Sequence, residues 1–331
     1  MSAPKKLCIV KLGAIGDVVN SLPLVNRLRA AYPETHITWV IAPLAHGLVQ
    51  GHCAVDRFLV FDVNKRSEWW PFLRELRRQR FDLVIDLQRI LKSGLITRLS
   101  GAPRRLGFDR GRCKEGSWVF TNERIAANPT PGVTVGQYLE FGEALGLPQQ
   151  EPVWKLPFEP WEGVRPAVSL GIGASKPSNH WPMQHWTELA SRLAGEFGAQ
   201  RVALVGGPGD RDNADQLLEQ GPAGLLDTVG KLSLKQTAGL IAASEVFVAC
   251  DTGPMHMAVA TGTPLVALFG AADPLRTGPF GRPDAVLYEP AECSPCRKRH
   301  CFVEGHPCMN NLRVDGVHAQ VLRTRAASLG V

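Results

Sequence analysis

The chain has 331 residues, 44% of them hydrophobic and 21% charged, a length and balance that suggest a soluble globular protein of two ordinary domains. No apolar run approaches the roughly 18 residues that a membrane span requires. The stretch MSAPKKLCIVKL runs from two lysines straight into a strand without a signal-peptide cleavage pattern, so a cytoplasmic protein is expected. The formal charge is +6, with arginine dense in RELRRQR (74–80) and RRLGFDRGRCK (104–114). Such patches attract nucleic acid, anionic membrane or phosphorylated substrates, or are simply solvated faces.

In chain order, strands are expected at 6–12, 36–42, 58–61 and 82–87, then at 167–172, 201–206, 245–249 and 264–269. Amphipathic helical stretches lie between them, among them 67–80, 183–197, 211–219 and 234–243. This alternation predicts parallel sheets with helices on both faces. LGLPQQEPVWKLPFEPWEGVRP (145–166) carries five prolines without helical or strand period and reads as a linker. The expected architecture is two Rossmann-like α/β domains facing a central cleft, 1–155 and 156–331, with ligands at the carboxyl ends of the strands.

The first strand runs into KLGAIGDVVNSLP (11–23). A dinucleotide-binding loop here would read G-x-G-x-x-G; the spacing of Gly13 and Gly16 instead puts the carboxylate of Asp17 at the turn. Glycine suits a turn that needs φ > 0 or a close approach. Asp17 could cap the following helix, although Pro23 would then kink it or move its start to Ser21. Alternatively, Asp17 takes the proton of an acceptor hydroxyl as that hydroxyl attacks a sugar.

Helix 67–80 spaces Trp69, Trp70, Leu73 and Leu76 for one buried face, leaving Arg74, Arg77, Arg78 and Arg80 outside. In the second half, GIGASKPSNHWP (171–182), VGGPGDRDNA (205–214) and VACDTGPMHMAVATGTPLVALFG (248–270) are three strand ends rich in glycine. The turn Asp251, Thr252, Gly253, with Pro254 at the first helical position and His256 one turn on, suits a diphosphate. The same residues could merely cap the helix and bury the histidine. Cys8 and Cys250 read as buried strand residues. Cys293, Cys296, Cys301 and Cys308 form C-x2-C-x4-C-x6-C, a set of four thiols that could hold a structural Zn or Fe, with His300 and His306 as competing ligands.

KLGAIGDVVNSLPLVNRLRAAYP, GASKPSNHWP and DTGPMHMAVATGTPLVALFGAADP together resemble the lipopolysaccharide heptosyltransferase family, glycosyltransferase family 9, and the resemblance runs through nearly the whole chain. It implies a GT-B fold, an inverting transferase that needs no cofactor, ADP-heptose as donor, and a lipid A-linked Kdo or core heptose as acceptor. It further implies work at the anionic cytoplasmic face of the inner membrane and no nucleic-acid partner. By position, Asp17 matches the family's catalytic base, beside Gly13 and Gly16, and Lys92 and Lys114 fall near positions that meet the acceptor. Asp251, Thr252, Gly253 and His256 match the donor loop, and Asp210 the acid against the ribose. Two positions depart from the family: Asn179 stands where a lysine usually neutralises the donor phosphates, and Arg89 where glycine is common. Lys176 and Ser175, with Ser178, are the replacements within reach. The alternatives are a family member using another nucleotide sugar, or a degenerate nucleotide-sugar-binding protein.

Overall fold

The computed structural model describes residues 3–330. The chain divides after Pro157 into two compact units, against an expected boundary after residue 155.

The first unit holds β1 (Lys6–Val10), α1 (Ile15–Ala31), β2 (His36–Ile41), α2 (Pro43–Val49), β3 (Arg57–Val60), α3 (Trp69–Arg78), β4 (Leu83–Asp86), α4 (Leu91–Leu99), β5 (Arg104–Gly107), β6 (Glu123–Arg124) and α5 (Thr134–Ala144). Its six strands form one sheet in the order β3-β2-β1-β4-β5-β6, with every pair parallel. Chain direction across the sheet reverses between β1 and β4, and the ends of those two strands form a crevice of the kind ligands use. Beyond the exposed first residues Lys6 and His36, β1, β2 and β4 are buried and mostly apolar, as strands covered on both faces must be. α1 is buried from Val18 to Leu28 and continues through Pro23. An interior proline costs about 3 kcal/mol in an exposed helix; packing on nearly every side of α1 offsets that, so the helix begins at Ile15 and not at Ser21.

α3 packs Phe72 and Leu76 against Val10, Leu59, Phe61, Val84 and Ile96. Each such burial contributes about 1.5–3 kcal/mol. The four-residue buried face expected for this helix is turned: Leu76 and Phe72 are inside, Trp69 and Leu73 half-buried, and Trp70 is 78% exposed.

The second unit holds β7 (Val168–Gly171), α6 (Met183–Phe197), β8 (Val202–Val205), α7 (Arg211–Gln220), β9 (Leu226–Asp227), α8 (Leu234–Ala243), β10 (Val246–Cys250), α9 (Gly253–Thr261), β11 (Leu265–Phe269), α10 (Pro274–Thr277), β12 (Val286–Tyr288), α11 (Pro307–Asn310) and α12 (Val314–Leu329). The sheet order β12-β11-β10-β7-β8-β9, again all parallel, repeats the arrangement of the first unit with its reversal between β7 and β10. α6 buries Trp186, Leu189, Ala190 and Leu193 at helical spacing. Ser233 and Gln236 close a reciprocal cap on α8. These are two α/β units of GT-B type. Among the described residues no helix is long and apolar enough to cross a membrane.

Candidate functional site

In the first unit the loop after β1 carries Asp17 into the opening turn of α1. The N-cap position is held by Ala14, so Asp17 lies inside the helix rather than capping it, where a negative charge is favoured by the helix dipole. Lys11 donates from Nζ to Asp17 Oδ2 at 3.0 Å; the lysine is 3% exposed, the aspartate 43%. The Lys11 ammonium also lies 5.3 Å from the centre of the Tyr138 ring. Burial pulls the Lys11 ammonium down, but the charge of Asp17 and contact with Tyr138 outweigh it and hold its pKa above the ordinary lysine value. Tyr138 is raised by burial and by Asp17.

Gln88, just beyond β4, fastens the glycine loop from below. Its Oε1 accepts from Leu12 N at 3.1 Å and its Nε2 donates to Gly13 O at 3.0 Å. Neither Gly13 nor Gly16 has a positive φ, so the left-handed turn expected here is not formed. The space over Gly13 is open, with no atom within 4 Å of where a Cβ would stand. Asp86, which ends β4 beside Val10, accepts from Gln88 N at 2.9 Å and Ser93 Oγ at 3.1 Å. Burial lifts its carboxyl to about 7, against the opposing pull of these hydrogen bonds and of Lys11.

Lys92, exposed at the start of α4, donates to Asn64 Oδ1 at 3.2 Å. Lys114 is exposed in the loop after β5, and its backbone N donates to Arg89 O at 2.8 Å. Leu91 N donates to Glu115 Oε2 in the same place. Both lysines therefore stand on neighbouring loops at the carboxyl ends of β4 and β5. Arg89 is held 4.0 Å over the Phe108 ring, with its guanidinium on Gln137 Oε1. Within the basic run 104–114, Arg104, Arg105 and Arg112 are internal clamps, while Arg110 and Lys114 stay exposed. Arg104 pairs with Glu123 at 2.7 Å across β5 and β6, Arg105 bonds the carbonyls of Ala102 and Phe120, and Arg112 holds Asp109 and Glu140.

In the second unit three strand ends assemble a separate site. Thr252 precedes α9 in an extended conformation and makes no side-chain cap bond. Its Oγ1 is buried and has no hydrogen-bond partner among the described residues. The first N–H groups of α9 therefore receive no cap from the Thr252 side chain. His256 is 7% exposed on the first turn. Asn179 is buried and donates to Asp251 Oδ2 at 3.4 Å. Ser175 is exposed and Lys176 half-buried on the same loop. Ser178 is not available as an extra hydroxyl: it donates to Lys298 O at 2.6 Å and is 1% exposed. Asp210 accepts from Gly207 N at 2.8 Å. Its carboxylate comes so close to the end of β7 that a Cβ on Gly173 would stand 2.3 Å from it, which is why that position is glycine.

Cys293, Cys296, Cys301 and Cys308 are free thiols, and among the described residues no three His, Cys, Asp or Glu side chains converge as a metal site. The four thiols offered as a possible structural metal site are therefore not converged on one point among the described residues. Cys308 is buried against the core of the unit, and burial, together with the other three cysteines, raises its pKa. The segment braces the Asn179 loop instead: Ser178 N donates to Arg299 O at 3.2 Å, and His306 Nε2 lies 2.8 Å from Ser178 O. Cys8 and Cys250 are buried strand residues as expected, Cys250 being pushed up to about 12 by burial.

Lys11, Asp86, Gln88 and Tyr138 are the members of the first site that sequence reading missed. Lys11 and Asp86 are each a single charge ending an apolar strand, a visible signal; Gln88 and Tyr138 join only through the fold.

The family model for glycosyltransferase family 9 (heptosyltransferase) matches residues 69–306. Lipopolysaccharide heptosyltransferase 1 of Pseudomonas aeruginosa is 30% identical over 315 residues, 89% of this chain and 87% of that protein. The lipopolysaccharide core heptosyltransferase OpsX of Haemophilus influenzae is 28% identical over 86% of this chain and 84% of its own. Among solved structures, the E. coli heptosyltransferase WaaC with ADP superposes with a TM-score of 0.79 at 25% identity, covering 96% of this chain and 99% of that one. The chain belongs to glycosyltransferase family 9, the heptosyltransferases, and is a glycosyltransferase.

Proposed function

We propose that the protein transfers heptose, with inversion, from ADP-heptose to the inner core of lipopolysaccharide, the acceptor being Kdo or a heptose already attached to it. The observation that carries the donor half is the start of α9, where the buried hydroxyl of Thr252 has no partner among the described residues and does not cap the helix, a setting that suits a bound diphosphate. Asp251 and His256 flank this anion site, Ser175, Lys176 and Asn179 form its second wall, and Asp210 meets the ribose. The first unit supplies the acceptor side, with Asp17 exposed enough to reach a hydroxyl and open space over Gly13 for a sugar, beside Gly16. Lys92 and Lys114 meet its negative charges. Asp17 removes the hydroxyl proton, the oxygen attacks the anomeric carbon, and the bond to ADP breaks with its charge held at α9. No cofactor is required. The lipid-linked acceptor places the reaction at the cytoplasmic face of the inner membrane, beside an anionic surface and not on nucleic acid.

A second donor is favoured by one feature: Asn179 turns to Asp251 and adds no positive charge to the phosphate site. Turnover with a panel of nucleotide sugars and Kdo-lipid A tests both readings. ADP-heptose should react fastest; a faster rate with another nucleotide sugar would name that donor, and no turnover with any would leave a binding protein.

A further inference from the structure

We propose that the outer face of α3 docks the protein on a bilayer of anionic phospholipid. The turn of this helix away from the expected packing is what creates the surface. Trp70 faces solvent at 78% exposure, and beside it opens a groove of about 640 Å³ lined by Leu73, Arg74, Arg77, Arg78 and Arg80. The charge is poorly offset. Glu75 is drawn to Arg57 at 2.7 Å and is 3.9 Å from Arg78, while Arg74 and Arg80 have no ion pair among the described residues. Arg77 is held by Leu99 O at 3.0 Å, which fixes its head along the groove.

Arginines bordering one outward tryptophan and partly buried leucine match a headgroup layer. The indole ring sits at the level of the interface, and each basic side chain near an anionic leaflet contributes about 1 kcal/mol. A single-stranded nucleic acid would use a row of aromatic platforms; no second aromatic lines this groove. In the loop before α3, Lys65 and Arg66 are exposed as well. The inference deepens the lipid-linked acceptor proposed above, but binding can be measured without donor or acceptor, so the two readings fail separately.

The test is sedimentation of the full chain with phosphatidylcholine vesicles, with and without phosphatidylglycerol, at low and high salt. Wild type should bind only the anionic vesicles and be released by salt, since exposed charges are screened over about 8 Å at physiological ionic strength. R74E/R78E should weaken binding at least tenfold, and W70S should weaken it severalfold at low salt. R323E, an exposed arginine of the second unit, should change nothing. Thermal unfolding of each variant should match wild type, which separates lost docking from lost folding. Equal sedimentation of R74E/R78E and wild type overturns the proposal, as does equal binding to neutral vesicles. Release by millimolar inorganic phosphate but not by sodium chloride of matched ionic strength would mean a free-phosphate site and would overturn it too.

Discussion

Asp86 is 3% exposed at the end of β4, and its neighbour across the sheet is Val10, one residue before Lys11. Its carboxyl titrates near 7 in the fold against about 3.8 for the free side chain, because burial penalises the charged form more than Gln88, Ser93 and Lys11 favour it. The folded state therefore holds this proton more tightly than the unfolded state. Its contribution to stability is fully present below about pH 4, falls as pH rises toward 7, and is gone above that. About 3 pH units at 1.4 kcal/mol each makes the loss of order 4 kcal/mol at most. Asp86→Asn cannot ionise, so the stability difference between variant and wild type, from denaturant unfolding, should shift in favour of the variant between pH 4.5 and 8. A constant difference across that range would show that Asp86 carries no raised pKa. Asp17 was legible as a residue because it breaks a familiar glycine spacing. Its counter-ion Lys11 is visible as a lone charge at the end of an apolar strand, but its burial is not, because only the fold brings Tyr138 and Asp17 around it.

At the scale of elements, the long helices read well from sequence. Expected stretches 183–197 and 234–243 coincide with α6 and α8, each with a full apolar stripe and a clear start or stop: Pro182 before α6, Gly198 after it, Ser233 before α8. The strands that went unseen are β5, β6, β9 and β12, all short and toward the sheet edges. β5 reads RRLG and β9 is two residues, too little for hydrophobic period to register. The arginines of 104–114 looked like a surface patch for the same reason, since their carboxylate and carbonyl partners come from β6, α5 and connecting loops. The start of α9 reads in the sequence as a candidate anion site, but the unpaired hydroxyl of Thr252 does not, because sequence cannot say that Thr252 fails to cap its own helix. Removing that hydroxyl should separate ligand binding from stability. Thr252→Val should leave the unfolding midpoint unchanged or higher, since it deletes an unpaired buried polar group, and should weaken ADP binding about tenfold by calorimetry. His256→Ala should weaken it as well. Unchanged affinity in both variants would move the donor phosphates away from α9.

Across the whole molecule, two units with the same strand order carry these residues beside the reversal of each sheet, on opposite sides of it: Asp17 after β1, the counterpart of β7, and Thr252 after β10, the counterpart of β4. The first unit holds a carboxylate paired with a buried cation, and the second a buried hydroxyl without a hydrogen-bond partner among the described residues. The proposed reaction puts the proton in one half of the chain and the leaving group in the other, which makes a sharp demand on one substitution. Asp17→Asn keeps the shape of the side chain and its place in α1, which Ala14 and not Asp17 caps. Steady-state turnover of ADP-heptose with Kdo-lipid A, measured beside ADP affinity by calorimetry and thermal unfolding, tests the account most directly. The account predicts that kcat falls by at least about a hundredfold, the usual contribution of a general base, while ADP affinity and the unfolding midpoint stay at wild-type values. Turnover within a few fold of wild type would contradict it, as would a loss of activity that merely follows a loss of folded protein.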